Sequence, residues 1–183
     1  MKYIKIERDE LAGNPRNEWD NLSTFYSVKS SRYMTGGKND IEFSHREDLE
    51  EAIKELRKER AVIVEFSHNC GDQYAVVEES QLQKEYIDYG YSMRKAKYHA
   101  RRCAEGDIET YKAWAEGDVY GYIVEDEDGE RVDSRWGYYG ESGRKEAEKE
   151  AESIIQWHIE DDAKKQRLAE DLQAEAESLI TAM

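Results

Sequence analysis

His68 and Cys70, two residues apart in His68-Asn69-Cys70-Gly71-Asp72, are the nearest approach in this chain to a thiol nucleophile beside a base. A pair at i and i+2 seldom meets in the geometry proton transfer requires, and no third group stands ready to orient the imidazole. The four histidines, His45, His68, His99 and His158, have neither H-x-x-x-H nor H-E-x-x-H spacing, and Cys70 and Cys103 form no C-x-x-C pair. The sequence therefore points to no disulfide framework, metal site or cofactor. Thr35-Gly36-Gly37-Lys38 lacks the spacing of a phosphate loop and leads into no clear helix, so it reads as a turn. Carboxylates are too common here for any pair to identify general acid and base. With no complete catalytic constellation, the chain reads as a non-enzyme.

Charge is the chemistry that remains. Seven carboxylates and no Lys or Arg lie between Glu116 and Glu130. Two uses of such a cluster differ in kind: it can keep an edge strand from pairing with a neighbour, or it can form a negative, tyrosine-flanked projection aimed at a basic groove of a partner. The second assigns partner binding to Tyr120, Tyr122, Glu125, Asp126, Glu127, Asp128, Glu130 and Asp133. Calcium does not fit, because with Gly129 at loop position six, Val124 falls at position one and Arg135 at twelve. The formal charge is −15, and residues 116–183 hold 20 acids against 8 bases, net −12. A surface of that sign repels nucleic-acid and membrane phosphates and suits a basic protein surface or simple solubility. One helix opposes the trend: Arg94, Lys95, Lys97, Arg101 and Arg102 interleave with Tyr98 and His99. This is a nucleic-acid-binding composition, but charge balance favours packing near the protein's own acids, and direct nucleic-acid binding is not expected.

The elements that position these groups are legible in part. Two runs rich in Val, Ile, Tyr and Trp flank Asp128-Gly129, a β-hairpin signature, because glycine accepts the positive φ of the turn. A two-residue turn pairs Ile123 with Ser134 and Gly121 with Trp136, whose ring can lie over the bare glycine. That register predicts a core face of Val119, Gly121, Ile123, Val132, Trp136 and Tyr138. It leaves Tyr120, Tyr122, Val124, Asp126, Arg131, Asp133 and Arg135 on a wetter face, with Asp126 paired to Arg131. A longer turn with a bulge exchanges the faces.

Upstream, Tyr3–Ile6, Thr24–Val28, Ala61–Phe66 and Tyr74–Val77 read as strands, and Gly13–Asn17 as a turn. Trp19 is expected to plug the side of the core. Capping boxes at Ser44 and Ser80 open two helices, Gly90 ends the second, and Ser92 caps a longer one. That helix carries an apolar stripe of Met93, Ala96, Ala100, Cys103, Ile108, Tyr111 and Trp114. After Gly140 the chain reads as two helical segments with a hinge or exposed stretch at Glu160–Lys165, where the apolar pattern is interrupted; Leu168, Leu172 and Leu179 resume it as a narrow seam that either folds back or pairs with a second copy or a partner. The expectation is an α+β protein: a small mixed or antiparallel sheet with a C-terminal β-hairpin, packed by several helices. Its globular domain spans 1–160 and a helical extension 161–183. No apolar run approaches eighteen residues, and the start, Met1 to Glu7, is too charged for a signal peptide, so the expected location is cytoplasmic.

Two blocks carry a resemblance. Asn14-Pro15-Arg16 with Glu18-Trp19-Asp20-Asn21-Leu22, and Gly117–Tyr122 with Glu125-Asp126, Asp128-Gly129-Glu130, Val132-Asp133-Ser134 and Trp136–Gly140, resemble a family of small phage and mobile-element proteins. The resemblance spans roughly residues 1–155; Val62 to Tyr74 is shorter than in the pattern, and the seam after Asp162 is peculiar to this chain. It implies no catalytic residues. What it implies is context: acidic phage proteins of this size are often inhibitors of host defence, such as anti-restriction or anti-CRISPR proteins acting on Cas9-type effectors in the bacterial cell. Such an effector holds nucleic acid in a basic channel that carboxylates can occupy in place of phosphates.

Overall fold

The computed structural model describes residues 3–29, 37–67 and 72–181, with side chains through 174 apart from that of Asp72. His68 and Cys70 lie outside the described residues, as do Thr35, Gly36 and the side chain of Leu179. The protein is α+β and divides into two compact units, residues 10–118 and residues 1–9 with 119–183.

The 10–118 unit is a sheet covered on both faces. Its strands are β2 (Thr24–Val28), β3 (Ile41–Phe43), β4 (Val62–Ser67) and β5 (Asp72–Val77), in the order β3-β2-β5-β4, with β2 and β3 parallel and the other pairs antiparallel. Strand alternation sends Phe25, Val62, Ala75 and Val77 to one side and Tyr26, Tyr74 and Val76 to the other. Helix α2 (Arg46–Lys58) covers the second side with Leu49, Ile53 and Leu56. Helix α4 (Met93–Ala115) covers the first with Ala100, Ala104, Ile108 and Tyr111. Three alanines, at 96, 100 and 104, let its axis lie close to the sheet, and Ala104 takes the core place that the apolar repeat assigns to Cys103, which is exposed.

Ser92 caps α4 by accepting from the Lys95 amide at 3.4 Å, and Gly90 adopts φ +86° ahead of it. The two predicted capping boxes are displaced. α2 opens at His45 with no side-chain cap, and α3 (Glu79–Leu82) opens at Glu78, whose N–H donates to Gln81 Oε1 at 2.9 Å. In a chain this rich in Glu and Gln, the Ser-x-x-Glu/Gln pattern arises without capping anything. A π-helical turn, Gln83–Ile87, follows α3.

The Asn14–Leu22 block feeds a buried ionic knot through Arg16. Asn14 accepts from the Arg16 amide at 2.9 Å and Pro15 starts the one-turn α1 (Pro15–Glu18). Asn21 Nδ2 donates to the carbonyls of Pro15 and Trp19, each at 3.0 Å. The turn delivers Arg16, 3% exposed, into the core over the Phe25 ring, 3.8 Å from its centroid. Its guanidinium meets Asp40 at 2.6 Å, the Ser23 carbonyl at 2.7 Å and Asp107 at 3.8 Å. Asp40 also accepts from the Phe25 amide, and Asp107 from the amide and hydroxyl of Ser23. Burial pushes the Asp107 carboxyl up, against the Ser23 hydrogen bonds and Arg16, which pull it down. Trp19, expected to plug the core, is 47% exposed; the arginine next to the turn goes inside instead.

The second unit is a three-stranded antiparallel sheet, β1 (Tyr3–Arg8), β6 (Val119–Glu125) and β7 (Arg131–Tyr139) in the order β1-β6-β7, with α5 (Gly140–Thr181) across one face. Ile123 pairs with Ser134 and Gly121 with Trp136, as the sequence predicts, and a Cβ on Gly121 would overlap the indole. The turn differs from expectation and the faces do in part: Val119, Gly121, Ile123 and Tyr138 are buried as predicted, while Trp136 is 38% exposed. Asp126 N donates to Glu130 O at 3.0 Å and Gly129 N to Asp126 O at 3.2 Å, with Gly129 at φ +80°: a three-residue loop closed by a glycine bulge. Within the ladder, register shifts fall between Val124 and Glu125, which skips Val132, and between Tyr120 and Gly121, which skips Gly137. These irregularities bring Val132 and Tyr138 to the side of Tyr120, Tyr122 and Val124. It is this side, predicted as the wetter one, that α5 buries with Ala147, Ala151, Ile154 and Ile155. Arg131 pairs in register with Glu125, not Asp126. Nor does α5 break at Glu160–Lys165, where Lys165 pairs with Asp161 one turn away at 2.7 Å and the helix runs on.

Candidate functional site

The hairpin tip is built by one of its own carboxylates. Asp126 Oδ1 accepts from the amides of Asp128 (3.0 Å) and Glu130 (2.9 Å), so it closes the loop and is half-buried. Glu125 is also engaged, with Lys5 Nζ at 2.6 Å across β1. What stands outward at the tip is Glu127, Asp128 and Glu130. Asp133 is half-buried opposite Val124. Tyr120 is half-buried with the guanidinium groups of Arg8 and Arg144 at 6.0 and 5.8 Å from its ring centre.

Tyr122, expected to flank a binding projection, is 2% exposed beneath α5, where its ring can serve the core and not a partner. It belongs to a polar node inside the sheet–helix interface. Glu150 of α5 accepts from the Tyr138 hydroxyl at 2.8 Å and from Arg135 Nη1 at 2.8 Å. Those bonds hold the Glu150 carboxyl below its ordinary range, while burial raises the phenols of Tyr138 and Tyr122. The node fixes how the helix sits on the strands and presents no free reactive group.

Along α5 the acids are offset in part by neighbours on the helix: Arg144 with Glu148 and Lys145 with Glu141, each at 3.4 Å. The unit as a whole holds 20 carboxylates against 11 Lys and Arg, net −9. In the other unit the basic stripe of α4 is offset in part: among the described residues Arg94, Lys97 and Arg101 form no ion pair, Lys95 Nζ lies 4.4 Å from the Tyr91 ring centre, and Arg102 bonds Tyr98 with Glu105 and Glu109 nearby.

A groove of about 620 Å³ opens between Asp20–Leu22, the π-helical turn and α4. Cys103 reaches it, 3.5 Å from the Tyr86 hydroxyl. Burial, then the thiol, raises that phenol. Among the described residues no three His, Cys, Asp or Glu side chains gather as metal ligands, and no helix is long and apolar enough to cross a membrane. No family model matches the chain, and no curated protein or solved structure matches it.

Sequence reasoning missed the Arg16–Asp40–Asp107 knot, whose members stand up to 91 positions apart, and β3. The one available signal was Asn-Pro-Arg followed by Asn21, a capping acceptor and a side-chain amide donor bracketing a cation.

Proposed function

We propose that this chain acts by binding, not by catalysis, and that its acidic unit engages the basic nucleic-acid channel of a defence effector, a Cas9-type nuclease, where phosphates would otherwise lie. The phage setting comes from the resemblance of the Asn14–Leu22 and Gly117–Gly140 blocks. The observation that carries the reading is the uneven charge: a unit of net −9 whose hairpin projects Glu127, Asp128 and Glu130. Replacing those three by Gln, Asn and Gln, with Asp126 left to close the loop, is expected to weaken inhibition of guide-directed cleavage about tenfold, from roughly 0.5 kcal/mol per exposed charge. The melting temperature should not move, and added salt should reproduce the loss. Inhibition unchanged by the triple replacement removes the tip from the mechanism.

One observation favours a second reading, an accessory protein that self-associates while its acidity serves solubility. Leu168 and Leu172 are 61% and 58% exposed one turn apart on α5. If they form a seam, truncation after Asp162 lowers the mass seen by light scattering from a multiple to that of one chain; a mass per particle that follows chain length alone disposes of it.

A further inference from the structure

The concavity where α2 ends and β4 begins has a lining that the acidic reading leaves unused. It encloses about 320 Å³ and is walled by Arg57 and Arg60 from the end of α2, Lys97 and Arg101 from α4, and the Ala61–Ile63 segment. Four cationic residues share that lining, and among the described residues no carboxylate lines the space. Among the described residues Arg57, Lys97 and Arg101 form no ion pair; Arg60 reaches Glu79 at 3.9 Å with both groups largely in solvent.

Ordinary helix electrostatics explain a fraction of this. Arg57 in the last turn of α2 suits the helix's carbonyl pole. Lys97 and Arg101 belong to a different helix and lie past its first turn and far from its last, where the dipole favours neither sign, so it does not account for them. Arg60 carries a cost. Ala61 N donates to Leu56 O at 3.2 Å, six residues bridged around a left-handed position, and the residue there is Arg60 at φ +65°. This is the site that glycine ordinarily fills, and a side chain with a Cβ is strained in it. Along the floor, β4 is an edge strand of its sheet, so alternate backbone groups face away from β5.

We propose that this concavity is an anion site that takes a phosphate ester. Cations that line one concavity repel one another, and a phosphate relieves that repulsion while guanidinium forks supply paired donors. The volume admits a pyrophosphate or the phosphates of a nucleotide and leaves no room for a folded partner. Net negative charge elsewhere does not forbid it, because at physiological salt the field decays over about 8 Å and the four nearby cations dominate.

Isothermal titration at physiological ionic strength with inorganic pyrophosphate, adenosine triphosphate and a single-stranded ten-nucleotide DNA tests this on the full chain. The two small ligands are expected to bind. Arg60→Gly should weaken them about tenfold, as loss of one charged hydrogen-bond donor does, without lowering the melting temperature, since glycine relaxes the left-handed position. Lys97→Gln with Arg101→Gln should weaken them about a hundredfold. Arg94→Gln with Arg102→Gln removes the same charge outside the lining and should change little. If the oligonucleotide binds and pyrophosphate displaces it with the same sensitivity, the site stands and its phosphate comes from a nucleic acid. No binding by any of the three, or equal losses from the 94/102 and 97/101 pairs, overturns the site.

Discussion

Arg16→Ala is expected to destabilise the protein by about 3–5 kcal/mol, the range found when one partner of a buried ion pair is removed. The guanidinium stands between Asp40, whose side chain is 2% exposed, and Asp107, and it also bonds the Ser23 carbonyl. Its removal strands a buried carboxylate, an unpaired carbonyl and a cavity against Phe25. Chemical unfolding followed by fluorescence should show the midpoint fall with little change in slope. Pairing Arg16→Met with Asp40→Leu should recover part of the loss, since it removes the stranded Asp40 charge while leaving the Asp107 carboxylate and the Phe25 amide without those partners. A single variant within about 1 kcal/mol of wild type would mean the knot contributes little.

Tyr122→Ala is expected to cost about 3–5 kcal/mol as well, the usual range for emptying a core aromatic. The ring packs under α5 with Tyr138, whose centroid is 6.1 Å away. Tyr122→Phe keeps that packing and should cost about 1 kcal/mol or less. The comparison separates two roles for this residue: if Tyr122→Ala weakens partner binding while leaving the unfolding midpoint in place, the tyrosine is a contact residue and the burial described above is not its function.

How much of this was legible in sequence depended on the range of the interactions. The hairpin was, because Asp128-Gly129 is local turn chemistry, and so were Ser92 and Gly90 around α4. The central pairs of β6 with β7 also followed from counting outward from the glycine. The face that α5 covers did not follow, because a bulge at each end of the ladder moves Val132 and Tyr138 across the sheet, and alternation has no way to register an unpaired residue. Tyr122 and Val124 therefore look like a wet face and are core. Arg16 was illegible for another reason: its partners, Asp40 and Asp107, lie 24 and 91 residues downstream, and nothing within one turn announces that an arginine is buried. The basic concavity is the same kind of object, assembled by α2, β4 and α4 from residues that read singly as solvated surface.

Helix α5 runs 42 residues, about 63 Å at 1.5 Å per residue, while the strands grip it through Ile155 at the latest of its core residues. Whatever meets its far end is therefore set at a measured distance and bearing from the hairpin, as by a rod with marked divisions. Deleting seven residues shortens the rod by about 10 Å and nearly preserves its bearing, whereas deleting five turns the end by about 140°. Separation and angle can thus be varied almost independently.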